Sequence, residues 1–171
     1  PSGTAVTVSA TPYPIAVGGG GAATDGSGPA YCAPAATSGV ASSFSTVTSA
    51  GGGKGGSFRP AANPNCEGCG GPGGSGGSGG YVQSGGALMA AGVGNTPSVT
   101  PAQGTNGGTG QHVPGAFANA GSGGGAAVAG TNGAPGVPLV GGAGSYIADP
   151  FVGPTAPSYG ETGPVGSTRY F

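Results

Sequence analysis

Cys66 and Cys69 stand in a Cys-x-x-Cys spacing, with Cys32 upstream and a single histidine, His112, downstream. That spacing serves metal binding, thiol redox chemistry or a disulfide. With His112 the three cysteines make up the donor set of a Cys₃His zinc site. A second cysteine pair, which gives zinc sites their specific spacing, is missing. A redox motif needs a helix N-terminus to lower its thiol pKa, and no helix signal follows Cys69. The sequence therefore favours a structural disulfide from Cys32 to Cys66 or to Cys69, with no metal and no cofactor. Closing a loop of that length contributes about 3–4 kcal/mol. It also places the chain in an oxidising, extracellular setting. The third thiol is then either unbridged or joined to another chain.

Hydrolytic chemistry finds less support. His112, Asp25 and Asp149 supply the residue types of a triad with any of the many serines. Nothing around them spells a nucleophile elbow or a frame that orients a base. The carboxylates are isolated rather than paired. The glycine runs lack the Gly-Lys-Ser/Thr ending of a phosphate-binding loop. No catalytic residue is assigned, and the expectation is a protein that is not an enzyme.

The elements that would position any site must be built mostly of glycine. Of 171 residues, 45 are Gly and 17 are Pro, while Trp is absent. Ala is the largest part of the 35% apolar fraction, and Val, Leu, Ile and Phe together supply only 23 residues. A conventional apolar core is out of reach. Such composition is usually read as low complexity. Disordered chains, however, are ordinarily rich in charge, and this one carries three basic and four acidic residues for a net charge of −1. So little charge suits a chain whose backbone groups bond to one another. It also argues against nucleic acid as a partner, because no basic patch exists. No apolar span of about 20 residues is present, so membrane insertion is not expected.

Strand signals are short and lie near the N-terminus: 4–10 alternates, 13–17 is β-like and stops at Gly18–Gly21, and 42–50 stops at Gly51–Gly53. After Gly70 the period becomes three. Residues 70–81 read Gly-Gly-Pro, Gly-Gly-Ser, Gly-Gly-Ser, Gly-Gly-Tyr. A second row has Gly104, Gly107 and Gly110; a third has Gly121, Gly124, Gly130, Gly133 and Gly136. Three residues per turn is the period of the polyproline-II conformation. An edge made only of Gly lets a neighbouring backbone approach until N–H meets C=O. Prolines lower the ordering entropy, which is otherwise largest for Gly. The expected fold is mainly irregular/β, with short N-terminal β-strands, a bundle of packed polyglycine-II helices and essentially no α-helix. Two units are expected: residues 1–58, a small β unit with Gly-rich turns, and residues 59–171, a Gly-rich body with loop tips.

The stretches Tyr13–Gly21 and Ser42–Gly53 carry a family resemblance. Tyr13, Ile15, Val17, Gly18, Gly20 and Gly21, followed by Ser42, Ser43, Phe44, Val47 and Gly51–Gly53, resemble the glycine-rich domains of tailed-bacteriophage tail fibres, tail-tip proteins and distal adhesins. The ending Gly163–Phe171 is similar to the Gly-x-Val-x-x-x-Arg-Tyr close of such domains. The match covers residues 13–56; beyond them it rests mostly on composition. Residues 29–41 are richer in Ala and Pro than that family's loops, and the three cysteines are unusual for it. The resemblance implies a virion or extracellular location, a structural or receptor-binding role and, in the adhesins, packed polyglycine-II helices. It fixes no individual binding residue.

If the rows pack, the breaks between them become turns that carry most of the remaining aromatic and polar residues. Tyr81, His112, Phe117, Tyr146 and Tyr159 are the candidate binding residues at such tips. Aromatic faces beside Asn, Gln and Ser suit a cell-surface glycan or an outer-membrane protein. The competing expectation is that aromatics, Phe44, Phe58 and Phe151 above all, fill contacts between copies of a homo-oligomer or other virion or filament subunits. Two roles follow: a tail-fibre or tail-tip component in host attachment, or a self-assembling subunit of an extracellular glycine-rich filament or matrix. An ice-binding face would need a regular row of Thr, which Thr105, Thr109 and Thr131 do not form.

Overall fold

The computed structural model describes residues 7–23, 36–58, 68–81, 88–113 and 119–145, together with the backbone of 146–147, 161–162 and 169–170. Among these the fold is mainly irregular with short antiparallel strands, and it contains no α-helix. Strands β1 (Ile15–Ala16), β2 (Ser42–Phe44) and β3 (Val47–Ser49) form one sheet in that order. β4 (Leu88–Met89) pairs with β5 (Gly110–Gln111). β6 (Tyr146–Ile147), β7 (Glu161–Thr162) and β8 (Arg169–Tyr170) form a third sheet with β8 in the middle.

The strands are brief because the described glycine segments bond with a period of three instead of two. In segment 75–81, the Gly76 and Gly79 amides donate to Thr105 and Gly108, while those of Gly77 and Gly80 donate to Gly71 and Gly68. Successive N–H groups thus aim at different neighbours, and each direction recurs every third residue, as a three-residue turn requires. The same segment accepts from Gly53 and Gly56, from Gly92, and from Gly121 and Gly124, at 2.7–3.0 Å. It is the hub of the fold, with segments 51–56, 68–74, 88–95, 104–111 and 119–125 around it.

Those neighbours also bond to one another. Gly71 and Gly74 donate to Lys54 and Gly51; Gly70 and Gly73 donate to Ala90 and Val93. Gly107 donates to Gly92, next to the β4–β5 pair, and Thr105 and Gly108 donate to Gly125 and Ser122. Further out, 36–41 lies on 51–56, and 15–22 lies on 36–44. On the other side, 128–133 lies on 104–111, and 139–143 lies on 119–125 and 128–133.

Glycine is therefore the interior, and the large apolar side chains are mostly outside. Gly71, Gly73, Gly76, Gly77, Gly79 and Gly80 are buried. Ile15, Val17, Val40, Leu88 and Val140 are all more than 60% exposed. Cys69 and Met89 are the only buried hydrophobic side chains among the described residues. Hydrogen bonds between backbones, not an apolar core, hold the segments together.

Several sequence expectations need correction. Row 70–81 does not run straight. It reverses between Gly74 and Ser75, so that Gly77 and Gly80 bond back to Gly71 and Gly68. The row from Gly121 to Gly136 reverses as well, with Gly125 donating to Val128. Residues 42–50 are a hairpin rather than one strand, since Ser45 takes φ 52° and closes Phe44 onto Val47. Residues 7–10 form no strand. There the Tyr13 hydroxyl draws the chain round, accepting from the Ser9 amide at 2.6 Å and donating to the Thr7 carbonyl. Hydrogen bonds from the Ser9 side chain and amide hold the Tyr13 phenol below its usual pKa, and the ring stacks on Phe44 at 5.6 Å. Strands also occur beyond the N-terminal part, as β4 to β8. Segment 51–58, on the N-terminal side of the expected boundary at 58/59, bonds directly to the body through Gly53 and Gly56.

Candidate functional site

The directions of the segments sort the connections into two ends. Taking 75–81 as running upward, 51–56, 104–111 and 128–133 run parallel to it, and 68–74, 88–95, 119–125 and 139–143 run antiparallel. Segment 15–22 runs upward too, opposite to 36–44. The chain ends flanking residues 24–35, 59–67, 82–87 and 114–118 therefore all lie at the upper end. The lower end has the tight reversals at 72–75 and 125–128, the β2–β3 hairpin and the loop 95–103.

At the upper end, Phe58 and Tyr81 meet because their segments are parallel and in step. Their ring centroids lie 5.1 Å apart at 43°. Phe58 is exposed and Tyr81 half-buried, so the pair presents one open aromatic surface. His112 follows β5 at the same end and is half-buried. Its Nδ1 is closed off from solvent and has no hydrogen-bond partner among the described residues. Cys69 opens segment 68–74 there and is buried. Of the candidate binding residues, Tyr81 and His112 thus share one end. Tyr146 sits in β6, paired with Tyr170, beyond a segment that runs to the opposite end. Phe117 and Tyr159 lie outside the described residues, as do Cys32 and Cys66. No group of His, Cys, Asp or Glu that could hold a metal ion occurs among the described residues. No helix there is long and apolar enough to cross a membrane.

At the lower end, β3 and residues 99–103 enclose a groove of about 380 Å³. Its wall is organised by Asn95, at φ 50°, whose Oδ1 accepts from the Val99 and Gln103 amides. Gln103 then bridges to the first sheet: its Oε1 accepts from the Ala50 amide at 2.6 Å, and its Nε2 donates to the Thr48 carbonyl. Gln103→Ala leaves the half-buried Ala50 amide without its acceptor. We expect a loss of about 1–3 kcal/mol, seen as a lower urea midpoint at unchanged slope.

Sequence reasoning missed a set of side chains that stand in for backbone carbonyls where a neighbouring segment runs out of them. Asn106 Oδ1 accepts from Gly94, Asn132 Oδ1 from Thr109, and Ser38 Oγ from Lys54. Ser42 and Thr37 do the same for Gly18 and Ala22. The legible signal was the repeated Gly-Thr-Asn-Gly at 104–107 and 130–133. In both copies the Thr hydroxyl also donates to a carbonyl of the adjacent segment, of Gly125 and Val140 respectively. No family model, no curated protein and no solved structure matches this chain.

Proposed function

We propose that the chain is a non-enzymatic virion structural and adhesion protein, a tail-fibre or tail-tip component that mediates host attachment from the virion or extracellular side. One observation carries the reading. The flanks of four connections converge on one end of a backbone-bonded scaffold, and that end bears the Phe58–Tyr81 surface and His112. A hydrogen-bonded scaffold with its connections gathered at one pole is the arrangement that recognition loops use. The partner at that pole is a cell-surface glycan or an outer-membrane protein, both of which aromatic faces with polar neighbours suit.

The test is binding of the fluorescently labelled chain to intact candidate host cells. Saturable binding is expected, and Tyr81→Ala should weaken it about tenfold while leaving the circular dichroism spectrum unchanged, the scale of one well-placed aromatic contact. Absence of saturable binding across bacterial surfaces, with the chain folded, removes the attachment reading. It would leave the glycine-rich filament or matrix subunit as the role to pursue.

A further inference from the structure

The ring of neighbours around segment 75–81 is incomplete. Going round it, 51–56 bonds to 68–74, 68–74 to 88–95, 88–95 to 104–111, and 104–111 to 119–125. Between 119–125 and 51–56 no hydrogen bond closes the ring among the described residues. Equal rods in close packing have six neighbours, and the hub has five among the described residues. Its donors tell the same story independently. Two of its three N–H directions are used, by Gly76 and Gly79 and by Gly77 and Gly80. The third direction belongs to Ser75 and Ser78, whose amides find no backbone acceptor among the described residues. The wall beside this gap is nearly bare: Gly52 and Gly55 are exposed, a Cβ on Gly52 would meet nothing within 4 Å, and one on Gly55 would only touch Ser78 Oγ at 3.6 Å.

The outer edge of the fold has the complementary features. Segment 15–22 bonds on one side only, to 36–44. The carbonyls of Gly19 and Ala22 accept from Val40 and Thr37, whereas those of Gly18, Gly20 and Gly21 accept from no described residue. A Cβ on Gly19 or Gly20 would meet nothing within 4 Å. Among the described residues the gap thus offers unpaired donors at a spacing of three, and the edge offers unpaired carbonyls on bare backbone. The whole chain carries only three basic and four acidic residues for a net charge of −1, so little repulsion opposes contact between copies.

We propose that segment 15–22 of a second copy of this chain fills the sixth place, accepting hydrogen bonds from the Ser75 and Ser78 amides. The contact joins two different surfaces, edge to gap, so each copy keeps one of each free and the association is head-to-tail. This does not rest on the attachment reading, because it concerns the flank of the bundle rather than its upper end.

The experiment combines sedimentation velocity with amide hydrogen exchange on the full chain over a concentration series. Oligomers that grow with concentration are expected, with Ser78 amide exchange slowing at least tenfold in step. Gly20→Leu blocks the edge and Gly52→Leu blocks the gap, and both side chains enter open space in the single copy. Each variant alone should be monomeric, and their equimolar mixture should stop at dimers, since one intact edge meets one intact gap. A wild-type monomer with a fast-exchanging Ser78 amide at all concentrations overturns the proposal. So does a monomer in which that amide is protected throughout, because another part of the same chain, such as 148–160, then fills the place. Failure of the mixture to dimerise removes 15–22 as the occupant.

Discussion

Gly77→Ala unfolds the bundle, whereas Gly141→Ala leaves it intact and slightly more stable. A Cβ on Gly77 would run into the carbonyl carbon and oxygen of Lys54, which belong to a neighbouring backbone and have no rotamer to change. Relief requires segments 51–56 and 75–81 to separate. That breaks the bonds of Gly53 and Gly56 and disturbs those of Gly71 and Gly77. Ordinary overpacking costs about 1–3 kcal/mol; here lost hydrogen bonds add to it, and the total approaches the whole stability of a typical domain. Gly141 is exposed, its Cβ would meet nothing within 4 Å, and its φ is not in the left-handed region. Alanine there only restricts the unfolded chain, which stabilises by about 0.4–1 kcal/mol. Urea titration of the two variants beside the wild type checks both signs. Equal tolerance at Gly77 and Gly141 would mean that the close approach of backbones does not hold the fold.

Met89→Ala is expected to cost about 2–5 kcal/mol, while Leu88→Ala next to it costs less than about 0.5 kcal/mol. Met89 is 4% exposed and Leu88 is 61% exposed, although both belong to β4. Among the described residues so few apolar side chains are buried that little apolar volume is at hand to refill the space Met89 leaves. The thermal midpoint of each variant reads the difference. A small shift for Met89→Ala would show that the upper end collapses around the cavity at little cost.

The glycine spacing made the three-residue turn legible, because a period reports the local path of the chain. It could not report where the chain reverses. Gly-Gly-Pro at 70–72 and Gly-Gly-Ser at 73–75 look alike in composition, yet the first lies within a downward segment, while the second spans the reversal, with Gly73 and Gly74 ending that segment and Ser75 beginning the upward one. The hairpin at 42–49 was hidden for the same reason: β-branched residues fit one long strand or two short ones, and Ser45 at positive φ decides between them. At the upper end, Tyr81 and His112 were readable as residues at segment breaks. That the two share one end depends on the parallel bonding of Gly76 to Thr105 and Gly79 to Gly108, which no single row encodes. The partnership of Phe58 with Tyr81 likewise follows from the parallel bonds of Gly53 and Gly56 to Ser75 and Ser78.

An interior of peptide groups has a calorimetric consequence. The heat capacity of unfolding rises with apolar surface exposed and falls with polar surface exposed. Here Val17, Ile15 and Leu88 meet water before unfolding as well as after it, and what unfolding newly exposes is largely backbone amide. The two contributions then oppose each other, and the heat-capacity increment falls below the usual 12–15 cal/mol/K per residue or so. A small increment flattens the stability curve. Such a protein loses little stability on cooling, and the cold denaturation that limits proteins with apolar cores recedes to far lower temperature.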